Sequence, residues 1–514
     1  MLAKVYSFGL SGIEAYPIEI EVDISNGLPA VTLVGLPDSA IRESRERVKS
    51  AIKNSGFSWP RERITISLAP SDINKEGACF DLPIALGILA ATGQVDAEKL
   101  KHYLILGELS LDGTLRQTRG ILPISIAAAK SNIKNLITPI ENASEAAIVS
   151  QVSVFALKTL KETVGFLHDQ EMVKPFKLDL DNLFKVNAHY KVDFSEIKGQ
   201  YLAKRALEVA VAGGHNILMI GPPGSGKTML AKRIPTIMPD LTLEEALEVT
   251  KIHSVTGTLP VKEGIIATRP FRSPHHTISD IALVGGGSVP RPGEISLAHH
   301  GVLFLDELPE FSRRCLETLR QPLEEGLIRI SRINKSLVFP ASFILIAALN
   351  PCPCGNFTEP RKKCSCNPAK IHNYMGKISG PLLDRIDIHI EVPAIKYTEL
   401  SDTKEAEPSK EIKARVEKAR SIQRGRFSTE GGKYEGIFYN AQMNTKLIKK
   451  YCILEDEAKE LLKMAMSELG LSARAYDKIL KVSRTIADLV GSENIKTEHL
   501  SEAIQYRSLD RQFI

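Results

Sequence analysis

At Asn216-Ile-Leu-Met-Ile220 an unbroken apolar run gives way to Gly221-Pro-Pro-Gly-Ser-Gly-Lys-Thr228, and Met229 to Arg233 then opens a helical pattern. A buried strand that breaks into a glycine-rich turn and re-enters as a helix is the context in which G-x-x-x-x-G-K-[ST] forms a phosphate cradle. It also commits the surrounding chain to strand–helix units and a parallel sheet. Gly221, Pro222, Pro223, Gly224, Ser225 and Gly226 supply the loop, whose backbone N–H groups face a polyphosphate at the positive end of a helix. Lys227 is placed to reach the β- and γ-phosphates, and Thr228 to put its hydroxyl on Mg²⁺. A nucleoside triphosphate with Mg²⁺ is the expected ligand.

The chain has 514 residues, too many for one core, and about three domains are expected. A net charge of +5 permits a nucleic-acid partner without demanding one. No stretch is long and apolar enough to span a bilayer, and the first residues show no charged head, apolar stretch and cleavage site. The expected compartment is the cytoplasm, with no membrane partner. Of seven cysteines, Cys79, Cys315 and Cys452 are scattered, while Cys352, Cys354, Cys364 and Cys366 cluster. Clustering in a reducing compartment points to a metal rather than disulfides.

Residues 1–168 alternate strand-like runs (Ile18–Ile24, Ile64–Leu68) with helical ones (Asp38–Ser55, Leu82–Thr92), which predicts an α+β or α/β domain. Residues 169–193 are polar and weakly patterned, and read as a linker. From 194 to 395, apolar strands at Ile217–Ile220, Val302–Leu305 and Phe343–Ala348 predict an α/β core, a parallel sheet with helices on both faces. Residues 396–514 begin with a charged, proline-bearing stretch and continue as helices at Glu411–Arg424, Asn444–Tyr451, Asp456–Leu469, Ala473–Val490 and Thr497–Arg507.

Three further segments carry chemistry. Gly301-Val-Leu-Phe-Leu-Asp-Glu307 is an apolar strand ending in two carboxylates; Asp306 suits the Mg²⁺ shell and Glu307 the polarisation of water. Phe343-Ile-Leu-Ile-Ala-Ala-Leu-Asn350 ends an apolar strand on a polar residue, either a turn-former before Pro351 or, at the carboxyl end of a central strand, a group facing the γ-phosphate and the attacking water. Gly380-Pro-Leu-Leu-Asp-Arg-Ile-Asp387 sets Arg385 just before a strand. There it is either a surface ion-pair partner or a group donated to a neighbouring subunit's phosphate. His275-His276 and His299-His300 read as local hydrogen-bonders.

Gly221–Thr228, Val302–Glu307, Asn350 and Leu382–Asp387, together with Phe271-Arg-Ser-Pro-His-His276, resemble the YifB/ComM family of magnesium-chelatase-like AAA+ ATPases along essentially the whole chain. The resemblance makes the nucleotide ATP and implies an AAA+ P-loop core with an α-helical lid, the type of domain that closes the C-terminus of magnesium chelatases. It implies a homo-oligomeric, hexameric ring, with Arg385 as the arginine finger and Arg474 of Leu471-Ser-Ala-Arg-Ala475 as the lid's phosphate sensor. It implies two insertions, at Ile278–Ile295 and between Gly326 and Phe339, that project into the ring's pore. Arg291, Arg329, Arg332 and Lys335 there either track a DNA backbone or form a solvated strand face. The implied activity is helicase or branch-migration work on single-stranded or branched DNA during recombination of transforming DNA. A metal-insertion motor and a protein-remodelling chaperone are the other readings.

Residues 1–168 resemble the proteolytic domain of Lon through Asn74-Lys-Glu-Gly-Ala-Cys-Phe-Asp81, Gly107-Glu-Leu-Ser-Leu-Asp-Gly113 and Arg119-Gly-Ile-Leu-Pro123. Cys79 stands at or beside the nucleophile's place, and Leu122 or Pro123 at that of the lysine base. A nucleophile without a base is poorly activated, so a non-proteolytic domain is expected. The four thiols of Cys352-Pro-Cys354 and Cys364-Ser-Cys366 suit a closed structural Zn²⁺ site, although C-x-C is tighter than the usual C-x₂-C spacing. His372 is a further candidate ligand, and metal-free or redox thiols are the alternatives.

Overall fold

The computed structural model describes residues 2–72, 75, 77–260, 263–287, 289–332, 335–357, 362–394, 406–428 and 436–509. They form two compact units. The first comprises Met1–Ala188 together with Thr242–Ala267, and the second His189–Leu241 with Thr268–Ile514.

A seven-stranded sheet organises the first unit: β1 (Leu2–Ser11), β2 (Glu14–Ser25), β3 (Ala30–Val34), β4 (Arg63–Ala69), β5 (Tyr103–Ile105), β6 (Asn135–Pro139) and β7 (Ser153–Leu157), in the order β3-β4-β2-β1-β5-β6-β7. β1, β2 and β4 pair antiparallel, while β1-β5-β6-β7 run parallel. Helix Ser39–Asn54 starts where the Asp38 carboxylate accepts the Ile41 N–H. Helix Asp81–Ala91 is buried along its whole length, which accounts for its lack of a polar stripe.

Thr242–Ala267 falls inside the segment that strand pattern assigns to the ATP-binding core, yet it packs with the first unit. A capping box of Thr242 and Glu245 starts helix Leu243–Thr256, which lies on helix Ile121–Lys130. The buried Glu145 carboxylate accepts from Leu122 N–H (2.8 Å), the Asn142 amide (3.4 Å) and the Ser254 hydroxyl, and Gly120 N–H bonds Ser254 O (3.1 Å). A buried polar network of this kind is satisfied only with the helix in place, and no hydrophobic periodicity announces it. The polar stretch 169–193 also carries a helix, Leu180–Asn187, capped by Asp179 with Leu180, Leu183 and Phe184 half-buried at helical spacing.

The second unit is built on a five-stranded, all-parallel sheet of β8 (Ile217–Ile220), β9 (Phe271–Arg272), β10 (Val302–Leu305), β11 (Ile344–Leu349) and β12 (Ile388–Glu391), ordered β9-β10-β11-β8-β12. β8, β10 and β11 are buried at every residue, so both faces are covered and the sequence reads as unbroken apolar runs. Among the described residues that follow, helices Ser409–Ser428, Thr445–Tyr451, Asp456–Leu469, Ala473–Leu489 and Thr497–Gln505 share one hydrophobic core with the sheet. Buried Asp488 binds Arg426, Arg484 and Asn440 and ties three segments of the C-terminal helices together. Most of the charged stretch opening at residue 396 lies outside the described residues.

Within the Ile278–Ile295 insertion lie helix Asp280–Val284 and a short antiparallel pair, Gly285–Gly286 with Arg291–Pro292. Leu327–Arg332 and Lys335–Pro340 form an antiparallel hairpin, Arg332 opposite Lys335. Its Ile328 and Phe339 are buried while Arg329 is exposed. Among the described residues no helix is long and apolar enough to cross a membrane.

Candidate nucleotide site

The parallel order puts the carboxyl ends of β10, β11 and β8 side by side, and the chemistry collects there. Gly221 follows β8 so closely on Val392 that an added Cβ would lie 2.1 Å from the Val392 carbonyl. Gly224 and Gly226 hold φ of 78° and 89°, conformations open to glycine, and nothing stands within 4 Å of a Cβ built on Gly224. Gly226 leads into helix Lys227–Ile237. Pro222 and Ser225 are buried and Pro223 is exposed.

The buried Lys227 ammonium donates to Gly221 O (2.7 Å), Pro222 O (3.0 Å) and Asn350 Oδ1 (3.4 Å). Burial pulls its pKa below the ordinary lysine value, and the charges of Asp306 and Glu307 oppose that pull. Thr228 donates from Oγ1 to Asp306 Oδ2 at 2.8 Å. Asp306 Oδ1 takes the backbone N–H of Glu307 (3.0 Å), which sits at φ 53° and is half exposed. A hydroxyl paired with a carboxylate is a hard-oxygen donor set suited to Mg²⁺. A cation leaning on its own loop's carbonyls is free to exchange them for phosphate oxygens. The residues therefore fit a magnesium–nucleotide.

Arg385 and Arg474 bond to carboxylates outside this group. Arg385 bonds Glu324 and the Pro381 carbonyl (2.5 Å), and Arg474 bonds Asp384 (3.3 Å). Lys478, one turn after Arg474, forms a 2.9 Å pair with Asp387, which also holds buried His215 at 3.0 Å. Those charges keep the Asp387 carboxyl well below the usual carboxylate range against its burial. Arg291 is exposed, and Arg329 pairs with Glu325 at 3.4 Å. The side chains of Arg332 and Lys335 lie outside the described residues.

Two residues join the site that sequence reasoning left out. His276, read above as a local hydrogen-bonder, puts Nδ1 3.4 Å from Glu307 Oε2. Its signal was positional: it follows β9 by four residues, at the carboxyl edge of the sheet. Gln200 braces the phosphate loop through Ser225 O (3.1 Å) and Pro393 O (2.9 Å), and no motif marks it.

The four clustered cysteines also come together: their sulfurs all lie within 4.8 Å of one another. Cys352–Cys354, Cys352–Cys364 and Cys354–Cys364 are 3.4, 3.8 and 3.6 Å apart, with no disulfide formed. Zinc–sulfur bonds of about 2.3 Å in a tetrahedron require sulfur–sulfur edges of about 3.8 Å.

In the first unit, burial pushes the Cys79 thiol up to about 12. Leu122 is fully buried, and its N–H is spent on Glu145.

The parallel order β9-β10-β11-β8-β12 with this phosphate loop defines a P-loop ATPase of the AAA+ class. Comparison with known proteins carries this further. Residues 193–400 match the family profile of magnesium chelatase, subunit ChlI. Residues 20–142 match that of subunit ChlI of Mg-chelatase, and 406–507 that of its C-terminal region. The chain is 47% identical to competence protein ComM of Haemophilus influenzae, over 99% of this chain and 98% of that protein. It is 44% identical to YifB of Escherichia coli, over 100% of this chain and 98% of that one. A magnesium-chelatase 67 kDa subunit of Chlorobaculum parvum is 28% identical over 31% of this chain and 23% of its own length. The chain belongs to the YifB/ComM family of magnesium-chelatase-like AAA+ proteins.

Proposed function

We propose that this chain is the subunit of a hexameric, ring-forming ATPase that moves on or remodels DNA, with branch migration during recombination of incoming DNA as its task. The observation that carries the motor is the convergence of Lys227, Thr228, Asp306 and Asn350 at one end of a parallel sheet. DNA as the track is supported by full-length similarity to a competence protein and by the hairpin Leu327–Pro340. That hairpin buries Ile328 and Phe339 and leaves Arg329 outward.

In this reading Lys227 and the loop N–H groups bind and orient the phosphates, while Thr228 and Asp306 hold Mg²⁺. The bound magnesium supplies charge neutralisation on the phosphate oxygens. Glu307 takes a proton from the attacking water, and Asn350 orients that water. Arg474 engages the γ-phosphate from the lid and Arg385 that of the neighbouring subunit, each leaving its present carboxylate. The four cysteines hold a structural Zn²⁺, and the Lon-like domain is non-proteolytic, its thiol protonated near neutral pH.

Steady-state ATP hydrolysis with and without single-stranded and branched DNA, across a salt series, tests the reading. Stimulation that weakens with salt and vanishes in Lys227→Ala is expected. A rate indifferent to every DNA while responding to unfolded protein or to a porphyrin-insertion partner would overturn it. Matches to magnesium-chelatase profiles at residues 193–400 and 406–507 make that last arm worth running.

A further inference from the structure

We propose that the four-cysteine loop is a strut of the ATP site, so that metal occupancy of its thiolates sets where Asn350 and the phosphate loop stand and thereby sets nucleotide affinity. The proposal rests on the zinc reading above. Its ground is that the loop reaches the nucleotide site at three places.

Asn350, which accepts from Lys227, is separated from Cys352 by a single residue, and Cys352 is fully buried. Gly355, directly after Cys354, holds φ of 79° and lies against the phosphate loop. A Cβ there would stand 2.4 Å from Pro223 Cδ. Asn367, directly after Cys366, caps helix Pro368–Met375 by accepting the Lys370 N–H at 2.8 Å. That helix carries Tyr374, which is buried; burial and the charge of Glu310 push its hydroxyl up, and the Asn350 backbone N–H pulls it back. The loop thus leaves Asn350, touches the phosphate loop, and returns to Asn350.

Among the described residues of the loop, the one large apolar side chain, Phe357, is 59% exposed. A loop without its own hydrophobic core takes its shape from a bound metal, where one is bound. Displacements of about 1 Å at a catalytic polar group cost on the order of a hundredfold in rate, so slack in this loop is felt at Lys227 and Asn350. Tyr374 and Gly355 act through Asn350 and Pro223, and are positioning residues.

The experiment uses the full-length chain. Zinc per chain is counted by mass spectrometry of the metal, and affinity is read with a fluorescent ATP analogue. A zinc-selective chelator is applied with magnesium in excess. Expected are about one zinc per chain and an affinity loss of about tenfold on chelation, reversed by zinc and not by added magnesium. Gly355→Ala and Tyr374→Phe should keep their zinc and yet bind the analogue several-fold more weakly. Hydrogen exchange at the phosphate-loop amides should rise in both. A chain that takes up no zinc, as purified or after reconstitution, overturns the zinc reading and this proposal together. Zinc bound, with affinity and exchange unchanged on chelation and in both variants, overturns the strut alone. Cys364→Ser, checked by circular dichroism, removes a ligand directly; the two positioning variants decide the matter if it does not fold.

Discussion

The buried carboxylates of the first unit and the phosphate-loop groups of the second are held differently. In the first, Asp81 accepts from the Arg47 guanidinium (2.9 and 3.2 Å) and from Leu109 N–H (3.3 Å). Glu145 there is filled by Leu122, Asn142 and Ser254. Each of these partners is fixed by the fold. In the second, Lys227 leans on carbonyls of its own loop beside open space at Gly224, and Glu307 is half exposed. The first arrangement fixes one structure, because removing any partner strands a buried group. The second leaves groups whose present contacts a ligand can replace. Polar density alone does not mark a site, and exchangeability of partners separates the two.

The largest effect should fall on the exchangeable side. Lys227→Ala is expected to bring fluorescent-nucleotide binding and phosphate release to background, with the thermal unfolding of the first unit unchanged. Its counterpart, Cys79→Ala, should leave hydrolysis at the parent rate. Hydrolysis lost in Cys79→Ala would break the contrast.

Next comes Glu307→Gln, which keeps the shape and removes the base. Binding should survive while turnover falls about a thousandfold, within the range that general-base removal commonly costs. Single-turnover measurement with trapped nucleotide checks it. Parent-like turnover would remove Glu307 from the chemistry.

The sequence made the second unit legible because parallel strands buried on both faces announce themselves, and the phosphate loop and the Asp306-Glu307 strand end each fix a neighbour in the sheet. Asn350 was readable as the polar end of such a strand. Thr242–Ala267 was not, since its attachment rests on Ser254, Glu145 and Gly120, residues ordinary in isolation and far apart in the chain. Nor was helix Leu180–Asn187, whose short apolar stripe sits in polar surroundings. His276 was visible only as half of a histidine pair; its relation to Glu307 depends on β9 lying beside β10. Tertiary polar contacts leave no period behind them.

A pH series sharpens the fixed side of the comparison. Burial raises the Asp81 carboxyl from 3.8 to about 6 despite Arg47. The folded state then binds a proton that the unfolded chain has released, so this group's contribution to stability falls as pH rises from about 4 to about 6. Across that window the change is about 3 kcal/mol. Hydrogen exchange of the first unit's core amides should show the slope, and Asp81→Asn should flatten it. An equal slope in the variant would assign the dependence elsewhere.

The smallest effect tests where the exchangeable side ends. His276 faces Glu307 at 3.4 Å from the carboxyl edge of β9, while Glu307 holds a positive φ of 53°. A carboxylate that must polarise water needs its direction set, and a ring nitrogen at this distance sets it without entering the phosphate-binding group. His276→Ala should therefore lower kcat by about tenfold, on the order of one polar contact to a charged group, and leave KM for ATP near its parent value. His276→Asn, which can still donate to the carboxylate, should recover most of the loss. A rise in KM with kcat intact would place His276 among the groups that hold the nucleotide. No change in either constant would make the pair a resting contact, and Glu307 would take its direction from the backbone alone.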